Sequence, residues 1–141
     1  MKTEFSTSWI SSKQPRKQRK YNYGAPLHIR HSFLSTHLSK GLREKYKTRN
    51  LPIRKGDEAL VMRGSFARKK AKVIRVDIKR TRVVLEGINR TKREGSKVEV
   101  FFHPSSLEIT ALNTDDKKRL KRLNLKETKG EKNNAPNKSG T

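Results

Sequence analysis

Residues 53–88 read IRKGDEALVMRGSFARKKAKVIRVDIKRTRVVLEGI. Lys55-Gly56-Asp57 is a turn signal, and Ala59–Arg63 predicts a short apolar strand. Lys72–Asp77 predicts a second strand, Ile78–Thr81 a basic turn, and Arg82–Ile88 a third strand. In the third, Val83 and Leu85 share one face while Val84 and Glu86 share the other. Between the first two strands lies the loop Arg63–Lys72, opened by Gly64-Ser65. Half of its residues are cationic: Arg63, Arg68, Lys69, Lys70 and Lys72. A two-stranded ribbon that carries such a loop away from its own core presents positive charge to a phosphate backbone.

The whole chain shares this bias. Its 141 residues hold 36 Lys plus Arg against 13 Asp plus Glu, a net charge of +23, and the pI is about 10.8. Self-repulsion on that scale opposes compaction. Solubility alone needs a net charge of only about 2–8 in a small domain, so the excess points to a polyanionic partner. Nucleic acid is the expected one, with an anionic membrane surface as its rival. Cysteine is absent, which removes disulfides and thiolate metal sites. No apolar run approaches a membrane span, and the first residues lack the apolar block of a secretory signal. The expectation is a soluble intracellular protein.

Apolar residues concentrate in 53–112, which predicts one small core with polar segments on both sides. Residues 1–52 form a basic N-terminal extension, 53–112 the core domain, and 113–141 a basic C-terminal helix and tail. Residues 1–12 read as a fraying terminus. Lys13, Arg16, Lys17, Arg19 and Lys20 follow in eight positions, a block expected to stay extended until it meets an anion. Tyr21, Tyr23, His28, Arg30 and His31 come next. Cations and rings interleaved in this way suit RNA; the alternative is that the tyrosines pack on the domain surface. Residues 35–48 read as a short helix with Ser39 as its cap and Leu38, Leu42 and Tyr46 as its apolar stripe. Its other side carries Lys40, Arg43, Lys45 and Lys47, with Arg49 just beyond, and Asn50-Leu51-Pro52 ends it.

Beyond the ribbon, Asn89–Lys97 reads as a charged connector containing Arg90 and Lys92. Val98–Phe102 predicts a fourth strand with Val98, Val100 and Phe102 on one face. His103-Pro104-Ser105-Ser106 is a tight turn, and Leu107–Leu112 a fifth strand. Five short strands in about 60 residues argue for a mainly β domain, a small closed or nearly closed barrel. Thr114-Asp115-Asp116 caps a last helix anchored by Leu120 and Leu123, and 126–141 read as a disordered tail.

Signals for catalysis are missing. Asp57 and Glu58 adjoin at a turn, Asp77 and Glu86 fall on solvated strand positions, and no glycine-rich phosphate loop precedes Lys-Ser or Lys-Thr. The histidines at 28, 31, 37 and 103 fit no zinc spacing and read as solvated or phosphate-facing. The expectation is a binding protein with no enzymatic activity, no metal and no cofactor.

The central stretch resembles a KOW motif, through Lys55-Gly56-Asp57, Arg63-Gly64, Phe66, Lys72-Val73, Val76 and Leu85-Glu86-Gly87-Ile88-Asn89. The flanks Ser12–Lys20, Ala25–Arg30, Leu38–Tyr46 and Leu51–Asp57, with His103-Pro104-Ser105 and Asp115-Asp116-Lys117, resemble the archaeal and eukaryotic form of large-subunit ribosomal protein twenty-four, leaning to the archaeal. The resemblance covers residues 12 to about 123. It implies an SH3-like β-barrel bound to the 5′ region of large-subunit ribosomal RNA, early assembly of the subunit, a place near the polypeptide exit tunnel, and a cytoplasmic location. The implied partners are that rRNA and neighbouring large-subunit proteins, with no membrane, no small-molecule substrate and no homo-oligomer. The RNA-facing set drawn from the resemblance and the charge pattern is Lys13, Arg16, Lys17, Arg19, Lys20, Tyr21, His28, Arg30, His31, Arg43, Lys45, Lys47, Arg49, Arg54, Lys55, Arg63, Gly64, Ser65, Arg68, Lys69, Lys70, Lys72, Arg90, Lys92 and His103. A KOW-type transcription or translation factor is the alternative. One departure stands out. The family loop carries Lys-Gly and then Gly-Lys-Val where this chain has Ala67-Arg68 and Ala71-Lys72-Val73. If those glycines serve positive φ or close approach to RNA, Arg68 is expected to replace a backbone contact by a side-chain contact to phosphate.

Overall fold

The computed structural model describes residues 5–119 and Leu123. It is a mainly β protein whose seven strands form a single sheet. These are β1 Ser35–Leu38, β2 Asn50–Pro52, β3 Glu58–Val61, β4 Lys70–Asp77, β5 Arg82–Thr91, β6 Lys97–Phe102 and β7 Leu107–Ala111. Among the described residues three short helices accompany them, α1 Pro15–Gly24, α2 Leu27–Phe33 and α3 Lys40–Tyr46, and residues 117–119 are helical as well. The sheet order is β2-β1-β7-β3-β4-β5-β6. All neighbours are antiparallel except β1 and β7.

The five strands expected after residue 53 all form, from the alternation that predicts them. Leu107 and Ile109 are buried on β7 and Val83 and Leu85 on β5, and Val84 on the opposite face of β5 is buried as well. Leu38, Ala59, Val61, Val73, Val83, Leu85, Phe102, Leu107 and Ile109 meet in one cluster. Six strands thus supply a single core, and the sheet must curl around it. Register shifts in the β3–β7, β4–β5 and β5–β6 ladders provide the bends. Closure is a different matter. Among the described residues no ladder joins β2 to β6, so, of the closed or nearly closed barrel expected, the sheet is not the closed form.

Several local expectations change. Residues 35–48 are not one helix: Ser35–Leu38 is a strand and only Lys40–Tyr46 is helical. Leu38 is both the start of the four-residue apolar repeat and a core residue of β1, so the repeat reads as helical one turn too early. Ser39 precedes the helix as expected, yet its side chain makes no capping bond. Asn50-Leu51-Pro52, expected only to break the helix, pairs with β1. The connector Asn89–Lys97 is partly ladder, since Asn89, Arg90 and Thr91 pair with Glu99, Val98 and Lys97; Lys92–Ser96 turn the chain.

A further change concerns the basic block. It is helical rather than extended. Pro15 starts α1, where its fixed φ and missing N–H are tolerated. Like charges along the helix oppose it by only about 0.2–0.5 kcal/mol per pair, and packing outweighs that. The Tyr21 ring is buried between Phe5 and Phe33, at 5.0 and 6.0 Å between ring centroids. The Gln18 amide donates to the carbonyl of Ser12 at 2.7 Å and also reaches those of Trp9 and Ile10 at 3.2 Å. The Lys20 ammonium sits over the Trp9 ring at 5.0 Å. Residues 5–12 are therefore docked on α1 rather than frayed. Leu123 is buried as an anchor, whereas Leu120 and the tail 126–141 lie outside the described residues. Among those residues, no helix is long and apolar enough to cross a membrane.

Candidate nucleic-acid interface

The basic loop is a built structure. Its first turn closes through the Ala67 N–H donating to the Gly64 carbonyl at 3.1 Å. The Arg68 N–H donates back to the Val61 carbonyl at 2.8 Å, and the Val61 N–H to that of Lys69 at 2.9 Å. Phe66, half-buried, packs edge-on against Phe102 with centroids 6.1 Å apart. One apolar side chain thus pins the loop to the core, and Arg63, Gly64, Ser65, Arg68, Lys69, Lys70 and Lys72 are left exposed. Lys69 also covers the Phe66 ring at 5.4 Å.

Arg68 answers the question raised by the missing glycine. Its φ is 69°, a left-handed conformation that costs a residue with a Cβ about 1–2 kcal/mol. The position keeps the backbone geometry suited to glycine and adds a cation. Ala71 needs no such conformation: it lies in β4 opposite Ala59. Gly64, at φ 92°, has open space where a Cβ would point, so the backbone itself is accessible there.

The remaining predicted residues divide by what already holds them. Lys13, Arg16, Arg19, Lys20, His28, His31, Lys45, Lys47, Arg49, Lys55, Arg90 and His103 are exposed, and Lys17 is half-buried. Lys45 lies over the Tyr46 ring at 5.2 Å. Others are committed to the protein. Arg30 donates from Nε to the Ala25 carbonyl at 2.8 Å and from Nη2 to the Tyr23 carbonyl at 2.5 Å. Arg43 donates from Nε to the Leu38 carbonyl at 2.5 Å. Arg54 is ion-paired with Asp116, and Lys92 with Glu94 at 3.3 Å. Tyr21 is only 5% exposed, so it packs and is removed from the set available for stacking. Tyr23, at 86% exposed, keeps its ring free.

Three clefts gather members of the set that are distant in sequence. Lys55 and Lys72 share one with Glu86 and Asn113. Arg90 and Lys92 share one with Arg93 and Val98 on the β5–β6 hairpin. Arg30 and His103 share the third with Lys79 of the basic turn and with Asn22, an uncharged residue that charge counting along the chain passes over. Among the described residues, no group of three or more His, Asp or Glu is placed to hold a metal ion.

Another missed feature lies beneath the Lys55 turn. Asp57 is fully buried and paired with Arg119, also buried. Its carboxylate further accepts the backbone N–H of Arg54 at 2.8 Å and of Asn113 at 2.9 Å. The turn that presents Arg54 and Lys55 is therefore clamped from below by the C-terminal segment.

Residues 12–126 match the family of ribosomal proteins described as L26 in eukaryotes and L24 in archaea. The chain is similar to the large ribosomal subunit protein uL24 of Methanosphaera stadtmanae, with 47% identity over 115 residues that cover 82% of this chain and 98% of that protein.

Proposed function

The chain belongs to the uL24 family of large-subunit ribosomal proteins, and from that premise we propose that this structural constituent of the cytoplasmic large subunit works by binding ribosomal RNA. The observation that carries the reading is the ribbon loop. Phe66 fixes its course and Arg63, Arg68, Lys69, Lys70 and Lys72 project from it with no ion pair to any described residue. Cations held in fixed positions without counter-charges are what a phosphate backbone displaces ions onto. Cation number gives strength, and selectivity then comes from the shape of a folded RNA.

In this reading the target is the 5′ region of large-subunit rRNA, the protein joins early in assembly, and it lies near the polypeptide exit tunnel beside other large-subunit proteins. The curled unit from β3 to β7 serves as an SH3-like KOW module over residues 53–112. Residues 1–52 add the cationic faces of α1 to α3, and 113–141 add the C-terminal helix and tail. The protein acts as a single copy, without a substrate, cofactor, catalysis or membrane contact. Co-sedimentation tests this. Stoichiometric retention on large subunits through a moderate salt wash is the expected result, and crosslinks read at nucleotide resolution should fall in the 5′ part of the rRNA. Recovery with free polymerase would instead make it a KOW-type transcription factor, and recovery with lipid would point to a membrane surface.

A further inference from the structure

We infer that the cleft between the α1–α2 region and the β4–β5 turn receives one unstacked nucleotide of the bound RNA. The inference deepens the rRNA-binding reading and rests on it. The cleft has a volume of about 360 Å3, within the range of roughly 300–1,000 Å3 typical of small-ligand sites. Its walls come from four separate parts of the chain: Asn22 on α1, Arg30 and Phe33 on α2, Ile78 and Lys79 in the β4–β5 turn, and His103 after β6. No carboxylate lines it.

The lining has the three components that recognition of a splayed-out nucleotide uses. Phe33 and Ile78, both half-buried, supply an apolar surface for a base. Arg30, Lys79 and His103 supply donors for a phosphate or ribose. The Asn22 amide is both donor and acceptor and can read the edge of a base.

These parts are ordered before any ligand arrives. Two carbonyl bonds fix the Arg30 guanidinium, and its Nη1 has no partner among the described residues. Phe33 is held against the buried Tyr21. The β4–β5 turn is tied by the Arg80 N–H donating to Asp77 Oδ1 at 2.9 Å and by the Thr81 hydroxyl donating to the Arg80 carbonyl at 2.7 Å. The His103 ring is held by its Nδ1, which lies 2.8 Å from the Ser105 hydroxyl and 3.3 Å from the Ser105 backbone nitrogen, and its Nε2 edge is left without a partner among the described residues. A preordered cleft of this size takes an extruded nucleotide and not a duplex, so it selects for RNA structure where the charged loop selects only for phosphate.

The test is chemical footprinting of a full-length large-subunit rRNA transcript with the full chain. The wild-type protein should protect one unpaired base that the Asn22→Ala/Lys79→Ala variant leaves reactive, with affinity lowered roughly tenfold, as loss of a single base contact gives. Lys69→Ala should lower affinity while that base stays protected. Both substituted positions in the double variant are exposed, and unchanged urea unfolding will verify that its fold is intact. If the wild type binds and no protected base depends on Asn22 and Lys79, the nucleotide cleft is wrong and the rRNA reading survives. If the wild type fails to bind the transcript, both fall.

Discussion

The Arg119 guanidinium grips the Asp57 carboxylate at two points, Nη1 to Oδ1 at 2.6 Å and Nη2 to Oδ2 at 2.8 Å, and neither residue is more than 6% exposed. Sixty-two residues separate them. The pair joins the C-terminal segment to the turn that begins the ribbon, and Arg119 Nη2 also donates to the Pro52 carbonyl at 3.2 Å. Two charges in this setting gain little over apolar residues of equal volume, but removing one strands the other.

Arg119→Ala should therefore destabilise the protein by about 3–5 kcal/mol, because Asp57 would stay buried without its counter-charge. Asp57→Ala should cost a similar amount, since it also frees the N–H groups of Arg54 and Asn113. The double variant should lose less than the sum, by a coupling of about 1–3 kcal/mol. Urea unfolding of the four proteins measures this, and additive losses would show that the pair is not a unit.

Arg68→Gly should separate stability from binding. Relief of the left-handed backbone is worth about 1–2 kcal/mol, partly offset by roughly 0.5–1 kcal/mol of added chain entropy, so the variant should be modestly more stable. Its affinity for rRNA should fall, because a cation is lost from the loop. A denaturant midpoint that rises while the binding constant drops is the expected signature. Unchanged affinity would mean that Arg68 faces solvent in the complex.

These two positions also mark where sequence reasoning reaches its limit. The ribbon and the strands after it are legible because period-two burial is a local property, visible in Val83 and Leu85 or in Leu107 and Ile109. The exposure of the loop cations is legible because Gly64-Ser65 and the charge run exclude a core position. The Asp57–Arg119 pair is not legible, since no local pattern links a turn acid to one of several lysines and arginines in a distant helix. The helicity of α1 is hidden for a related reason: charge repulsion is written in the sequence, but the packing of Tyr21 between Phe5 and Phe33 that overcomes it is not. The cleft at Asn22 and Lys79 exists only because the helices fold back beside the β4–β5 turn.

Gly56 and Gly64 share a positive φ, at 90° and 92°, but their surroundings differ. A Cβ on Gly56 would come within 2.5 Å of Asn113 Nδ2. That side chain cannot swing away freely, because its Oδ1 accepts the Asp115 N–H at 3.0 Å. Gly56→Ala should therefore cost strain of about 1–3 kcal/mol plus the broken bond. Gly64→Ala meets nothing within 4 Å and should cost only the backbone strain, about 1–2 kcal/mol. Its larger effect should be on RNA affinity, where a methyl group would stand between the backbone and the phosphates. Parallel unfolding and filter-binding measurements check the contrast.

Salt dependence should sort the cations by role. Removing one cation from a phosphate should lower the slope of log K against log salt by roughly 0.7–0.9. Lys69→Ala and Lys70→Ala, on exposed positions of the loop, should each show that change with stability nearly intact. Arg43→Ala should behave in the opposite way. Its guanidinium donates to the Leu38 carbonyl, so its removal should weaken the join between β1 and α3 by about 1–3 kcal/mol and leave the salt slope almost unchanged. Binding titrations from low to moderate salt, read beside urea melts, separate the two. A slope change for Arg43→Ala equal to that for Lys69→Ala would mean that α3 faces RNA as directly as the loop does.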